Sequence, residues 1–290
     1  MTETPVQQRF GGMPRRLYSA SPSKLLAWLD CPRRYRMQYL DRPKPAPRAR
    51  RAHTSVGVAT HNVLRDFWDL APVERTPTSV ERLVRQSWID VGFRDADQSV
   101  HWRVRTTARV TAYLRGIDRD RQPLGVERTV SLRTEQLAVT GRLDRLDDRG
   151  GELVVVDYKT GRAPLTDDDA RTSLPMALYA VAVGGMFRRP CARVELHHVP
   201  SGEVLAHEHT PESLIRRVAE AESIASDLRR ADADFAELGV ESQLFGPRIS
   251  AICAWCAFRA HCPEGQRAGP EKSDWAGLET DGQAGGDHPE

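Results

Sequence analysis

Lysine is scarce in this chain. Of 42 basic residues only four are lysines, at positions 24, 44, 159 and 272, so 38 are arginines. Against that background Lys159 is conspicuous, because an ammonium is a compact point charge whose pKa moves on burial, whereas a guanidinium is a planar fork. No apolar run approaches membrane-spanning length, and the N-terminus lacks the apolar core of a secretion signal. A cytoplasmic protein with no membrane partner is expected. Cysteines number only five, and in a reducing compartment they point to ligands or buried thiols and not to disulfides. No Gly-x-x-x-x-Gly-Lys-Ser/Thr loop is present, so ATP-driven unwinding is not expected of this chain. The net charge of +2 says little by itself, but its distribution is uneven. Residues 31–51 hold eight Arg or Lys against Asp41 alone, and residues 264–290 hold seven acids against two bases. The basic run is a solvated face or, beside a nucleic-acid enzyme, a phosphate-contact surface.

With 290 residues the chain can bury a substantial core. Residues 1–18 are expected to be disordered, 19–264 to form one domain, and 265–290 to be a disordered acidic tail. Ser21-Pro22-Ser23 opens a helix that Pro32 interrupts. Residues 41–52 read as a Pro/Arg linker. Val58, His61, Leu64 and Trp68 then share one helical stripe. Helices follow at about 78–90 and 101–117, and a strand at 124–132 carries Glu127, read as a surface acid before a metal-site one. Beyond residue 160 the pattern predicts a helix at about 168–183, a strand at 191–197 with His197 and His198 as strand-edge residues, and a helix from Pro211 to about Ala236.

The chemistry gathers at 151–161. Leu153-Val154-Val155-Val156 reads as a buried strand, and Asp157 and Lys159 at its end are two apart, hence on one face. Residues 139–146 form a second strand ending in the turn residues Asp147 to Gly151, so a hairpin is predicted that brings Asp144 near Asp157. Two carboxylates there could share Mg²⁺ or Mn²⁺ through oxygen. Separately, Cys253, Cys256 and Cys262 have ligand spacings that need a fourth partner, for which Cys31 is the natural candidate. Four cysteinates suit a [4Fe–4S] cluster or structural zinc, and His261 leaves a Cys₃His zinc site open.

Asp144 in a Gly-x-x-Asp context, followed by Asp157-Tyr158-Lys159, resembles the signature of the PD-(D/E)XK nuclease superfamily in its RecB-like exonuclease branch. The Cys31-Pro32 and Cys253…Cys262-Pro263 pattern is similar to that of members carrying an iron–sulfur staple, the AddB-like nuclease domains among them. The resemblance spans about residues 20–264. It implies an α/β restriction-endonuclease-like fold, a mixed central sheet flanked by helices, with helical N- and C-terminal segments joined by the four-cysteine cluster, [4Fe–4S] favoured over zinc. It also implies metal ligation by His61 (from Gly57-x-x-x-His61), Asp144, Asp157 and the Tyr158 carbonyl. Lys159 would orient the attacking water or offset negative charge, and Tyr179 would assist from its helix. Pro175 stands where the family has glutamine, which leaves the tyrosine role open.

The implied activity is metal-dependent hydrolysis of DNA, as an exonuclease on single strands or free ends, with a possible helicase or repair partner. Two alternatives stand beside it: a non-catalytic nucleic-acid-binding module with a vestigial site, and a scaffold docking a repair protein through residues 33–51.

Overall fold

The computed structural model describes residues 17–278. Its centre is a mixed sheet of β1 (Tyr18–Ala20), β2 (Gly125–Arg133), β3 (Leu137–Arg149), β4 (Glu152–Lys159), β5 (Arg193–His198) and β6 (Glu203–Glu208). β1 pairs parallel with β3 and β4 parallel with β5, while the β2–β3, β3–β4 and β5–β6 pairs are antiparallel. The helices are α1 (Pro22–Asp30), α2 (Pro32–Tyr39), α3 (Ala52–Asp69), α4 (Pro77–Ser87), α5 (Ala96–Arg115), α6 (Asp167–Thr172), α7 (Leu174–Phe187), α8 (Pro211–Leu238) and α9 (Pro263–Arg267). Among the described residues no helix is long and apolar enough to cross a membrane.

The valine run of β4 is buried on both faces because helices cover both sides of the sheet. Val154 and Val156 pack with Val63, Phe67 and Trp68 of α3 and Tyr113 of α5. Leu153 and Val155 pack with Met176, Ala180 and Val183 of α7. A third cluster joins α1, α7 and α8 over Leu137 and Val139. The helix expected at 168–183 is two helices, broken at Ser173. Its side chain caps α7 by accepting the Met176 N–H at 3.5 Å, and Pro175, which lacks an N–H, sits in the first turn of α7 where none is needed. β6 had no counterpart in the sequence reading. It covers the flank of β5, so His197 and His198 are buried in an interior strand and not at a sheet edge.

β3 is the spine. β2 runs along one of its edges, while on the other β1 pairs with residues 137–139 and β4 with 145–149. Among the described residues no strand occupies the second edge at residues 140–144. α1 and α7 press into that gap: a β-carbon at Gly141 would stand 2.6 Å from the Tyr179 ring and 3.2 Å from Pro22.

On the α3–α5 side of the sheet, charges are buried as a closed set. Arg145 and Arg149 each contact Asp147 at 3.0 Å, and Arg149, Arg193 and His197 bind Glu195 at 2.8–2.9 Å. The His197 ring also meets the Tyr113 hydroxyl at 2.8 Å. Glu195 is 2% exposed. Burial alone would raise its pKa, but the bonds from His197, Arg149 and Arg193 hold it far below the ordinary carboxylate range.

The two ends of the described chain are fastened by arginine. Arg33 pairs with Glu264 at 2.7 Å, and Arg48 pairs with Glu271 and, at 2.9 Å, with Asp274. Arg51 is buried and donates to the carbonyls of Ala254, Lys272 and Ser273. Arg34 and Arg36 are taken up by Asp30 and Asp41. Arg33, Arg34, Arg36, Arg48 and Arg51 are therefore engaged by the chain's own acids and carbonyls, whereas Arg42, Lys44 and Arg50 are exposed. Residues 263–267 form α9, and Leu278 is buried against α3 and Trp102. Residues 1–16 and 279–290, part of the expected disordered ends, lie outside the described residues.

The expected four-cysteine cluster is corrected by the structure. Cys31, Cys253, Cys256 and Cys262 border one narrow hollow. Among the described residues, however, no three metal-capable side chains that include a cysteine bring their ligand atoms within 4.8 Å of one another. Cys31 Sγ accepts the Arg248 N–H at 3.4 Å, and Cys262 Sγ accepts the Gly265 N–H at 3.3 Å as the cap of α9. Neither a [4Fe–4S] cluster nor a cysteine zinc site joins the terminal segments, and arginine contacts fasten them. Cys191 is a buried thiol, 3.3 Å from the Leu153 carbonyl.

Candidate metal centre

The gap on β3 is where the acidic residues meet. In the β2–β3 ladder Val126 faces Arg145 and Arg128 faces Leu143, which places Glu127 opposite Asp144. In the β3–β4 ladder Arg145 faces Val156, and one further step places Asp144 opposite Asp157. Three carboxylates thus stand abreast on three neighbouring strands, an arrangement that repels itself unless a cation intervenes. Glu127 is held with φ 46°, a left-handed conformation costing on the order of 1–3 kcal/mol for a non-glycine residue. Asp144 turns one oxygen toward β4, where Oδ2 accepts the Tyr158 N–H at 2.7 Å.

α3 brings the imidazole. Gly57 lets the helix approach the end of β4, since a β-carbon there would stand 3.1 Å from Thr160 Oγ1. One turn later His61 Nδ1 lies 3.4 Å from Asp144 Oδ1. Ligand atoms of His61, Glu127 and Asp144 all lie within 4.8 Å of one another. They border a cleft of about 490 Å³ together with Asn62, Arg142 and Thr160.

Asp157 lies outside this trio but within its field. Its carboxyl is raised above the ordinary range, first by burial; Lys159 opposes the shift and Asp144 adds to it. Asp157 Oδ2 is 2.8 Å from Lys159 Nζ, yet this buried oxygen has no aligned hydrogen bond. Glu127 is also raised, by burial and by Asp144, with Arg142 opposing at 2.8 Å. At His61 burial would favour the neutral ring, but the hydrogen bond and charge of Asp144, with Asp157 and Glu127, raise its pKa. Burial leads the shifts of the two acids, and the rise at His61, made against burial, reports the negative charge around it. Carboxylate oxygens with one imidazole suit Mg²⁺ or Mn²⁺, and the orphaned Asp157 oxygen fits such a cation.

Of the residues singled out in the sequence, the structure brings His61 and Asp144 into contact and sets Asp157 and Lys159 beside them. The Tyr158 side chain turns the other way, its hydroxyl 3.0 Å from Trp68 Nε1 and 3.1 Å from Arg145. Tyr179 packs on Gly141 with its phenol at the Arg142 backbone. Burial and the charges of Asp157 and Asp144 push that phenol up to about 12. Glu127, read as a surface acid, is instead a member of the trio. Its signal was the β2–β3 register, which local pattern does not reveal.

A family model for the PD-(D/E)XK nuclease superfamily matches residues 19–263. No curated protein matches the sequence. Among solved structures, a Eubacterium rectale protein assigned as an exonuclease aligns with a TM-score of 0.43 and 9% identity, over 75% of this chain and 81% of that one. The protein SSO0001 aligns with a TM-score of 0.38 and 12% identity, over 87% and 88%. The family match reaches the superfamily and no further. The narrower iron–sulfur, RecB-like branch expected from the sequence has no cysteine group to support it and is corrected accordingly.

Proposed function

The chain belongs to the PD-(D/E)XK nuclease superfamily, and from that premise we propose that it is a divalent-metal-dependent deoxyribonuclease acting on DNA with a free end or a single-stranded portion. The observation that carries this reading is the convergence of His61, Glu127 and Asp144 beside the Asp157–Lys159 pair. When bound, Mg²⁺ or Mn²⁺ supplies Lewis-acid stabilisation of phosphoryl charge and a more acidic water. His61, Glu127, Asp144 and Asp157 would hold the ion, with the Tyr158 carbonyl as a further donor. The Tyr158 N–H fixes the orientation of Asp144. Lys159 projects from β4 beside Asp157, where its ammonium holds the attacking water or offsets charge growing on the phosphate. Tyr179, protonated near neutrality, bears on the β3 backbone beneath the acids. With no phosphate-loop motif in this chain, duplex opening falls to a helicase or other repair partner.

The test is cleavage of end-labelled linear and closed circular DNA, single- and double-stranded, with Mg²⁺ or Mn²⁺, by wild type and Asp157→Ala in parallel. Wild type should degrade linear DNA and spare circles, and the variant should cleave neither. Cut circles would replace the end requirement with endonuclease action. A folded wild type inert on every DNA with either metal would overturn the proposal.

A further inference from the structure

Next to the acidic cleft lies a second hollow of about 390 Å³, of different chemistry. Trp255 and Trp102 line it with Arg109 and Arg162, and it shares His53 and Thr160 with the cleft. The two therefore adjoin beside the end of β4. Trp255 is 37% exposed. It is held in place by the Arg51 guanidinium 5.1 Å from its ring centre and by His53, packed edge-on at 5.5 Å. Trp102 is buried, with the Arg109 guanidinium 5.3 Å from its ring centre. Arg162 stands three residues beyond Lys159, exposed and without a carboxylate partner among the described residues.

From this juxtaposition we propose that the hollow is a nucleobase subsite for single-stranded nucleic acid, with Trp255 as the stacking platform and Arg162 as the phosphate contact. The proposal rests on the nuclease reading for its neighbour and extends it with residues not in the metal centre. An indole accepts any base face, and an adjacent unpaired guanidinium tracks the backbone, which is how single strands are held without sequence preference. A duplex keeps its bases stacked inside and cannot present one to Trp255. The charge is complementary as well: the cleft is rich in acid, so a strand reaching it needs a cationic contact alongside, and the exposed Arg162 guanidinium borders this hollow. The loop that bears Arg162 begins directly after the strand that bears Asp157 and Lys159, so a nucleotide seated on Trp255 lies next to the phosphodiester facing the acids.

The test measures equilibrium binding of a labelled oligothymidylate, an abasic oligomer of equal length and a duplex, in Ca²⁺ to prevent cleavage. Hydrolysis of bis-p-nitrophenyl phosphate with Mn²⁺ is followed separately. Trp255→Ala should weaken oligothymidylate binding about 5- to 100-fold, leave the abasic oligomer within about twofold, and leave hydrolysis of the small diester unchanged. Trp255→Phe should restore most of the binding, which a merely misfolded variant would not. Arg162→Ala should weaken the normal and abasic oligomers alike and reduce the salt dependence. Equal binding of thymidylate and abasic oligomers by wild type, or no change in Trp255→Ala, would overturn the subsite. Tight base-dependent binding by a wild type that does not hydrolyse the diester would sink the nuclease reading and leave the subsite standing.

Discussion

Asp144 and Arg145 are neighbours in one strand and belong to opposite kinds of charged cluster. Around Arg145 every acid has its cations: Asp147 and Glu195 are shared among Arg145, Arg149 and Arg193, and the His197 ring, kept neutral by burial, also bonds Glu195. Around Asp144 the carboxylates of Glu127 and Asp157 stand beside it with Arg142 and Lys159 at the margins and an imidazole between. The first cluster drives the pKa of Glu195 down, whereas the second drives those of Asp157 and Glu127 up. A protein can bury acid either by neutralising it from within or by leaving a place for a cation from outside. Only the second arrangement presents oxygen and nitrogen donors suited to a metal ion.

That contrast can be broken at several points. The largest effect is expected at Asp157→Ala, which should lower metal-dependent DNA cleavage by at least about 10³-fold, or ~4 kcal/mol of barrier, with thermal unfolding little changed. A variant retaining a tenth of the activity would remove Asp157 from the site. Conversely, Glu195→Gln should leave chemistry to the folded fraction and cost about 3–5 kcal/mol in urea unfolding, because two partly buried guanidinium groups, Arg149 and Arg193, lose their shared anionic partner. A cost under ~1 kcal/mol would show that the closed cluster is not structural. Next in size is the response to metal. Mn²⁺ at 100 times its dissociation constant should stabilise wild type by about 2.7 kcal/mol. Asp144→Asn, which keeps an acceptor for the Tyr158 N–H but lacks the charge, should lose most of that gain; an equal shift in both would place the ion elsewhere.

The smallest effect lies away from both clusters. Burial first, then His207 and Arg217, lower the pKa of His209 from 6.5 to about 4. Between those values the unfolded chain binds the extra proton, so the contribution of His209 is complete above about pH 6.5 and is lost as pH falls toward 4. His209→Asn should therefore flatten the decline in melting temperature across pH 6.5 to 4 by a few degrees or less (roughly). An unchanged slope would clear His209 of any part in it.

What was legible in the sequence was local. Three valines in a row, turn residues at 147–151 and the Gly57–His61 spacing each carry their own geometry, so the β3–β4 hairpin and the α3 imidazole could be read without partners. Glu127 could not, because its place depends on which residue of β3 it faces, and one step of register would turn it away. The partners of the arginines of 31–51 were hidden for a related reason. Arg34 and Arg36 find acids close by, but those of Arg33 and Arg48, Glu264 and Asp274, lie more than 200 residues ahead. The cysteine spacings were true to a ligand pattern, yet the sulfurs of Cys31 and Cys262 are engaged by nearby backbone N–H groups. Apolar spacing runs on across Ser173, so the break between α6 and α7, with Pro175 in the first turn of α7, is not legible from periodicity alone.

The arginine fastening also sets a schedule. Arg48 and Asp274 are 226 residues apart in the chain, so at roughly 5–20 residues per second a ribosome needs on the order of ten to forty-five seconds to deliver the second after the first. β1 waits similarly for β3, to which it is parallel. Throughout that interval Arg33 and Arg48 are without the acids, Glu264 and Asp274, that hold them in the folded chain.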